Sequence, residues 1–287
     1  MVRKTPLVPH GNLLLKLECL QVSGSFKDRG ISHMISESLL VNKSLRKIVC
    51  SSGGNAGNAV AAAGSTLNVA VDVFVPTTTM PMMVAKIEKR GANVHVGGSN
   101  WNEADQRARK TLDDSTLYVP PFNDALIWEG NSYLVDEILQ QVGGDISAFP
   151  QVIVLSVGGG GLLRGVQLGL ERLGLVGHTE IVAVETEGAG SFAAAKANDN
   201  KVISLSAITS IASSLGALSV VESTLTSPVK TTSCLVSDAH AVLACVKFAD
   251  EMRLLVEPAC GASLVSLYLI CVFHVFFHFF TFKSMKE

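Results

Sequence analysis

Charge is scarce in this chain and neither sign prevails. Among 287 residues there are 23 Lys or Arg and 25 Asp or Glu, a formal net charge of −2. That balance removes the electrostatic case for a nucleic acid or an anionic membrane as partner and leaves small molecules as the ligands to look for. None of the six cysteines (Cys19, Cys50, Cys234, Cys245, Cys260, Cys271) stands in a C-x-x-C pair, which points to free thiols in a reducing, cytoplasmic setting. Polar residues and prolines interrupt the N-terminus where a secretory apolar stretch would sit. There is no internal repeat and no long linker. The length suits one large α/β unit or two interleaved domains.

What is present is an alternation of short Val- and Ile-rich runs with segments of helical period, the pattern of a parallel sheet covered on both faces. The runs predict strands at Leu13–Leu17, Lys47–Cys50, Val69–Val75, Asn93–Val96, Val152–Val157 and Ile181–Glu185. Helices are expected at Gly30–Leu40, Asn55–Ala63, Met82–Arg90, Asn102–Leu112, Asn131–Gln141 and Leu162–Leu173.

Four segments carry chemistry. Ser23-Gly24-Ser25-Phe26-Lys27-Asp28-Arg29-Gly30 puts one lysine between a Ser-Gly loop and a helix start. An amine desolvated there loses its proton, and only an unprotonated amine condenses with an aldehyde, for which pyridoxal phosphate is the obvious candidate. A capped helix start with a solvated charge cluster is the plainer alternative. Ser51-Ser52-Gly53-Gly54-Asn55-Ala56-Gly57 follows the Cys50 strand and opens an alanine-rich helix. Its free N–H groups suit a carboxylate or phosphate, and the Asn55 amide suits a phenolic oxygen; a tight turn capped by Asn is the alternative.

Gly158-Gly159-Gly160-Gly161-Leu162 follows another strand and precedes another helix. Four glycines cost much backbone entropy and make a nest of donors for a phosphate, or else a ligand-free turn. The segment lacks the Gly-Lys-Ser/Thr ending of a Walker loop and the acidic partner of a dinucleotide fingerprint. Glu257-Pro258-Ala259-Cys260-Gly261-Ala262-Ser263 places a thiol that is either a weak partner for a pyridine nitrogen or a small buried apolar residue.

In this order the four segments, with Pro120-Pro121-Phe122-Asn123-Asp124 and Ile127-Trp128-Glu129-Gly130 between them, closely resemble the serine dehydratase/threonine deaminase family. The likeness runs from Thr5-Pro6-Leu7 to about Ser263. The resemblance implies a tryptophan synthase β-like fold (fold type II), an α/β architecture with a parallel-rich sheet. Residues 1–37 and 126–287 would form the large cofactor domain and residues 38–125 an inserted smaller one. It implies pyridoxal 5'-phosphate as cofactor, with Lys27 as the amine that holds it and as general base. Asn55 would bond the ring hydroxyl. Gly158, Gly159, Gly160, Gly161 and Leu162 would cradle the phosphate, and Cys260 would face the pyridine nitrogen. Ser52, Gly53 and Asn55 would receive the substrate, and Glu185, Ala189 and Ser191 would ligate a monovalent cation such as potassium. The implied activity is β-elimination of serine or threonine to pyruvate or 2-oxobutyrate plus ammonia, in a homodimer. A β-replacement synthase, a racemase or a catalytically degenerate relative are the alternatives.

The chain departs from the family pattern at several positions. Val22 stands where proline is usual, Asn131 where histidine is, and Ser213 where lysine is common. After Ser263 a Phe-rich run replaces the family's helix and glycine-ended strand, an atypical or truncated end expected to expose a sheet edge and lower solubility. The apolar run Ala262–Phe282 reaches the roughly 20 residues of a bilayer span, but Ser263, Ser266, His274 and His278 interrupt it and its beginning fits a buried helix.

Overall fold

In the computed structural model, which describes residues 2–268, the β-branched runs form strands and the segments between them form helices. The order is β1 (Leu7–His10), β2 (Leu13–Lys16), α1 (Lys27–Val41), β3 (Lys47–Cys50), α2 (Asn55–Leu67), β4 (Ala70–Val75), α3 (Pro81–Glu88), β5 (Asn93–Val96), α4 (Trp101–Arg109), β6 (Thr116–Tyr118), α5 (Ala125–Gln141), β7 (Val152–Ser156), α6 (Gly161–Arg172), β8 (Glu180–Thr186), α7 (Ser191–Ala197), β9 (Thr231–Val236), α8 (Asp238–Met252) and α9 (Pro258–Tyr268). Two sheets carry the architecture, ordered β5-β4-β3-β6 and β7-β8-β9. All their pairings are parallel, with Cys50 opposite Val73 in the first and Val184 opposite Ser156 and Cys234 in the second. Ile48, Val49 and Cys50 are fully buried, as expected for a strand covered on both faces.

Several elements differ from the sequence reading. The strand expected at Leu13–Leu17 joins neither parallel sheet. It forms an antiparallel hairpin with β1, turned at Gly11, whose φ of 57° needs the left-handed region. Helix α1 begins at Lys27 and not Gly30, because the Ser25 and Phe26 carbonyls accept from the Asp28 and Arg29 amides. Lys27 therefore lies on the first helical turn. Helix α5 starts at Ala125 and not Asn131, since the Asp124 side chain caps the Leu126 amide at 2.8 Å. Its mid-helix Gly130 is retained where α1 crosses: a Cβ there would lie 2.8 Å from the Gly30 Cα.

Burial of an ionic cluster fixes α1. The Arg29 guanidinium, its side chain 2% exposed, pairs with Glu18 at 2.7 Å and Glu137 at 2.9 Å, and Lys16 also meets Glu137. Desolvation is opposed by the hydrogen bonds that the guanidinium donates to both carboxylates, which leaves its charge favoured. The hairpin, α1 and α5 are thereby tied together around the lysine loop.

The buried helix expected at the start of the apolar tail is α9, with Ala259, Gly261, Ala262 and Val265 buried. The remainder of Ala262–Phe282, and Cys271 within it, lies outside the described residues. Among the described residues no helix is long and apolar enough to cross a membrane.

Candidate functional site

Lys27 keeps some exposed surface, but its amine is enclosed. It donates to the Pro121 carbonyl at 2.5 Å and lies 5.4 Å from the Phe26 ring and 5.8 Å from the Phe122 ring. Desolvation lowers its pKa to about 8, and the Glu257 carboxylate acts in the opposite direction. Burial pushes the Cys50 thiol up to about 12, so it stays neutral beside the amine.

The tetraglycine segment has its carbonyls tied and its amides free. Gly158 O accepts from Ser191 Oγ, Gly159 O from the Val221 amide, Gly160 O from the Arg164 amide, and Gly161 O from Asn131 Nδ2. The N–H groups of Gly158 to Gly161 meet no acceptor among the described residues. They surround the N-terminus of α6, where amides and helix dipole together attract an anion. Glycine is required here: Gly160 has φ 89°, and a Cβ on Gly159 would lie 2.4 Å from the Phe122 ring. Phe122 thus packs on the glycine loop while facing the Lys27 amine.

Asn131 links the two helix starts. Its Oδ1 accepts from the Gly30 amide at 3.0 Å, and its Nδ2 donates to Gly161 O at 3.1 Å, with the residue 1% exposed. The asparagine that departs from the family pattern holds the lysine helix against the glycine-loop helix. Val22 acts similarly through its carbonyl, which accepts from Arg90 Nη2. Arg90 Nε in turn bonds Asn58, whose Nδ2 bonds the Ser23 carbonyl.

Asn55 opens α2 and donates through Nδ2 to Glu257 Oε1 at 2.7 Å and to Ser214 Oγ at 3.3 Å. Ser214 Oγ donates to Glu257 Oε2 at 2.7 Å. Ser214 also touches the glycine loop: a Cβ on Gly158 would lie 3.2 Å from the Ser214 carbonyl. Phe122 therefore joins Lys27 to the glycine loop, and Ser214 joins that loop to Asn55 and Glu257. Ser52 Oγ accepts from the Gly54 amide, and Gly53 faces the Thr79 side chain, so both stand in the same loop as Asn55.

Cys260 sits in the first turn of α9. Burial raises its thiol to about 12, and the groups acting on it are Glu257, Cys19 and Cys245. Glu257, not Cys260, is the group of that segment that reaches Asn55 and acts on Lys27. Glu185 is fully buried, and its carboxylate accepts from the Phe192 and Ala193 amides at 2.8 and 2.7 Å. Burial raises its pKa to about 7, against the opposing effect of those amide bonds. Ser191 is directed to Gly158 O, and the Ala189 amide turns back to Thr186 O. Among the described residues no group of three His, Cys, Asp or Glu side chains forms a metal cluster.

Three residues of this constellation were not assigned from sequence: Ser214, Phe122 and Glu257. Glu257 had a usable signal, an acidic residue directly before a proline that begins a helix. Ser214 had none, because its role follows only from the approach of a 3-10 turn (Ser213–Leu215) to Asn55. A separate groove of about 580 Å3, lined by Glu37, Val41, Leu45, Asp113 and Leu126, shares no residue with the Lys27 constellation.

The model of the family described as pyridoxal-phosphate dependent enzyme matches residues 1–271. The chain is 42% identical over 259 residues to a protein of the rat Rattus norvegicus named serine dehydratase-like, covering 89% of this chain and 76% of that protein. It is likewise 42% identical over 264 residues to an L-serine dehydratase/L-threonine deaminase of Mus musculus, covering 90% and 77%. Among solved structures, a fungal L-serine ammonia-lyase from Rhizomucor miehei superposes with a TM-score of 0.88 at 31% identity, covering 96% of this chain and 89% of the other. The α/β architecture with its two parallel sheets is the one these fold type II relatives share.

Proposed function

The chain belongs to the pyridoxal-phosphate dependent enzyme family, and from that membership we propose that it deaminates L-serine and L-threonine by β-elimination, giving pyruvate or 2-oxobutyrate and ammonia. The observation that carries this reading is the Lys27 amine: enclosed, with its pKa lowered to about 8, and facing Phe122, which packs on a loop of unpaired amides. When bound, the cofactor supplies an aldehyde for an amine and an electron sink that acidifies the amino acid's Cα–H.

The residues fit such a group. The Gly158–Gly161 amides, with no acceptor among the described residues, suit its phosphate, and Asn55 stands at the side where the ring hydroxyl would be bonded. Lys27 Nζ, unprotonated in an appreciable fraction near neutral pH, serves first as nucleophile and then as the base that takes the α-proton. Ser52 and Gly53, beside the N-terminus of α2, receive the substrate carboxylate. Cys260 is kept as a candidate neighbour of the pyridine nitrogen only by way of Glu257, which lies between the α9 turn and Asn55. The segment 38–125, which contains one whole parallel sheet, is proposed as the inserted smaller domain.

The deciding measurement is release of ammonia and 2-oxo acid from each hydroxy amino acid, with and without added cofactor. Product from serine, threonine or both supports the proposal; none under either condition removes it.

A monovalent cation at Glu185, Ala189 and Ser191 is part of the same proposal. The Glu185 oxygens accept amide bonds from Phe192 and Ala193, and each carboxylate oxygen has more than one acceptor site. The carboxylate's raised pKa of about 7 marks a buried negative charge that a cation would stabilise. Potassium is expected to raise the melting temperature above pH 7, where that carboxylate is ionised, and to do so far less at pH 5. Identical melting curves in potassium and in tetramethylammonium at both pH values would discard the cation.

A further inference from the structure

Glu257 joins three chain segments that are remote in sequence. One carboxylate oxygen accepts from Asn55 Nδ2 at 2.7 Å and the other from Ser214 Oγ at 2.7 Å, while Asn55 Nδ2 also reaches Ser214 Oγ at 3.3 Å. The three side chains close a triangle. A primary amide has two N–H donors and one carbonyl acceptor, so both Asn55 donors are occupied, the shorter by Glu257 and the longer by Ser214. With one N–H pinned to a carboxylate, the amide plane is fixed, and its second N–H is held by the weaker of the two bonds. Exchanging the Ser214 bond for an oxygen on a ligand leaves Asn55 in place. Ser214 then keeps its bond to the other Glu257 oxygen.

From this geometry we propose that Glu257 is a positioning residue: it orients the Asn55 amide for the bound cofactor. The inference rests on the roles of Lys27 and Asn55 proposed above. It gives the acidic residue before α9 a task distinct from that of Cys260. Lys27 gives a second readout of the same carboxylate, since the Glu257 charge favours the protonated amine while burial disfavours it. The carboxylate therefore limits how far desolvation can carry the amine towards its neutral form.

Two substitutions separate the hydrogen bond from the charge. Glu257→Gln keeps an oxygen for Asn55 and an amide for Ser214 but removes the charge. Glu257→Ala removes both. In the full chain freed of cofactor, reductive methylation with formaldehyde and cyanoborohydride, followed at Lys27 by mass spectrometry across pH, reports the amine's titration without any turnover. The wild-type midpoint is expected near 8 and a lower one in both Glu257 variants. Binding of pyridoxal phosphate, followed by absorbance, is expected to weaken on the order of tenfold in Glu257→Ala, the loss of one charge-assisted hydrogen bond. It should weaken much less in Glu257→Gln. Ser214→Ala is expected to leave the Lys27 midpoint unchanged, a result that a general loosening of the fold would not give.

Wild-type cofactor affinity in Glu257→Ala overturns the inference while leaving the proposed function intact. If Glu257→Ala does not fold, a Glu257→Gln chain that binds cofactor about tenfold more weakly than the wild type, with its oxygen for Asn55 retained, overturns it as well. A wild-type chain that forms no borohydride-reducible adduct at Lys27 overturns both.

Discussion

Lys27→Ala is expected to lose the borohydride-reducible absorbance of the cofactor-loaded chain and to release 2-oxo acid at least about 10³-fold more slowly, because one side chain serves as both nucleophile and base. Lys27→Arg should fail equally. A guanidinium stays charged at every accessible pH and cannot give up a proton to become a nucleophile. The pair of variants therefore distinguishes loss of chemistry from loss of charge or of fold. Retention of a reducible adduct in Lys27→Ala would show that another amine holds the cofactor.

The same residue has a stability signature of definite sign. Its folded pKa is about 8 against a reference of 10.5, so between those values the folded chain binds fewer protons than the unfolded one. Stability from this group is fully present above 10.5 and is lost as pH falls through 8. At pH 7 the cofactor-free wild type carries the cost of a charged, enclosed amine. The cofactor-free Lys27→Ala variant is accordingly expected to melt at a higher temperature there, with the gap closing towards pH 10. A wild type that melts higher than the variant at pH 7 would contradict the desolvated amine.

Gly57→Ala is the second large effect, and it acts through shape. A Cβ at position 57 would lie 1.9 Å from the backbone oxygen of Ser52 and 3.3 Å from Ile87 Cδ1. The first contact is with main chain and has no rotamer by which to escape, so the Ser52–Asn55 loop must move off the first turn of α2. Overpacking of this kind costs roughly 3 kcal/mol, and the displaced loop carries Asn55 away from Ser214 and Glu257. The expected result is a lower melting temperature together with weaker cofactor binding. Gly174→Ala is the control. Gly174 has φ 69° but open space around it, so it should lose only the roughly 1 kcal/mol of a left-handed alanine and bind cofactor normally. A Gly57→Ala chain that melts and binds like the wild type would mean that the approach of α2 to the loop is looser than the coordinates state.

The parts of this site that are legible in sequence are those that one local segment specifies. Lys27 opens a helix after a Ser-Gly loop, Asn55 opens another after a Gly-rich turn, and the glycines lead from β7 into α6. In each case the residue types state the local conformation, and the conformation states which backbone groups are left free. The strand core Lys47–Cys50 was readable for the same reason, since burial on both faces demands an apolar run. Helix starts were less so. Lys27 and Ala125 begin their helices earlier than periodicity suggests, because the Ser25 carbonyl and the Asp124 carboxylate provide caps that a hydrophobic pattern does not register. Strand β9 went unnoticed in Thr231–Val236, where Thr, Ser and Cys dilute the apolar signal.

The order of four short motifs was enough to recognise the family and, through it, the cofactor, because each motif states its chemistry within eight residues or fewer. Tertiary structure alone decided how those motifs meet. Asn131 joins the lysine helix to the glycine-loop helix, Phe122 lies between amine and amides, and Glu257 orients Asn55 from 202 positions away. Hydrogen bonds and desolvation act through a few ångströms of space. Separation along the chain carries no information about them, so the partners that tune the amine came into view only when the sheets, helices and loops were packed.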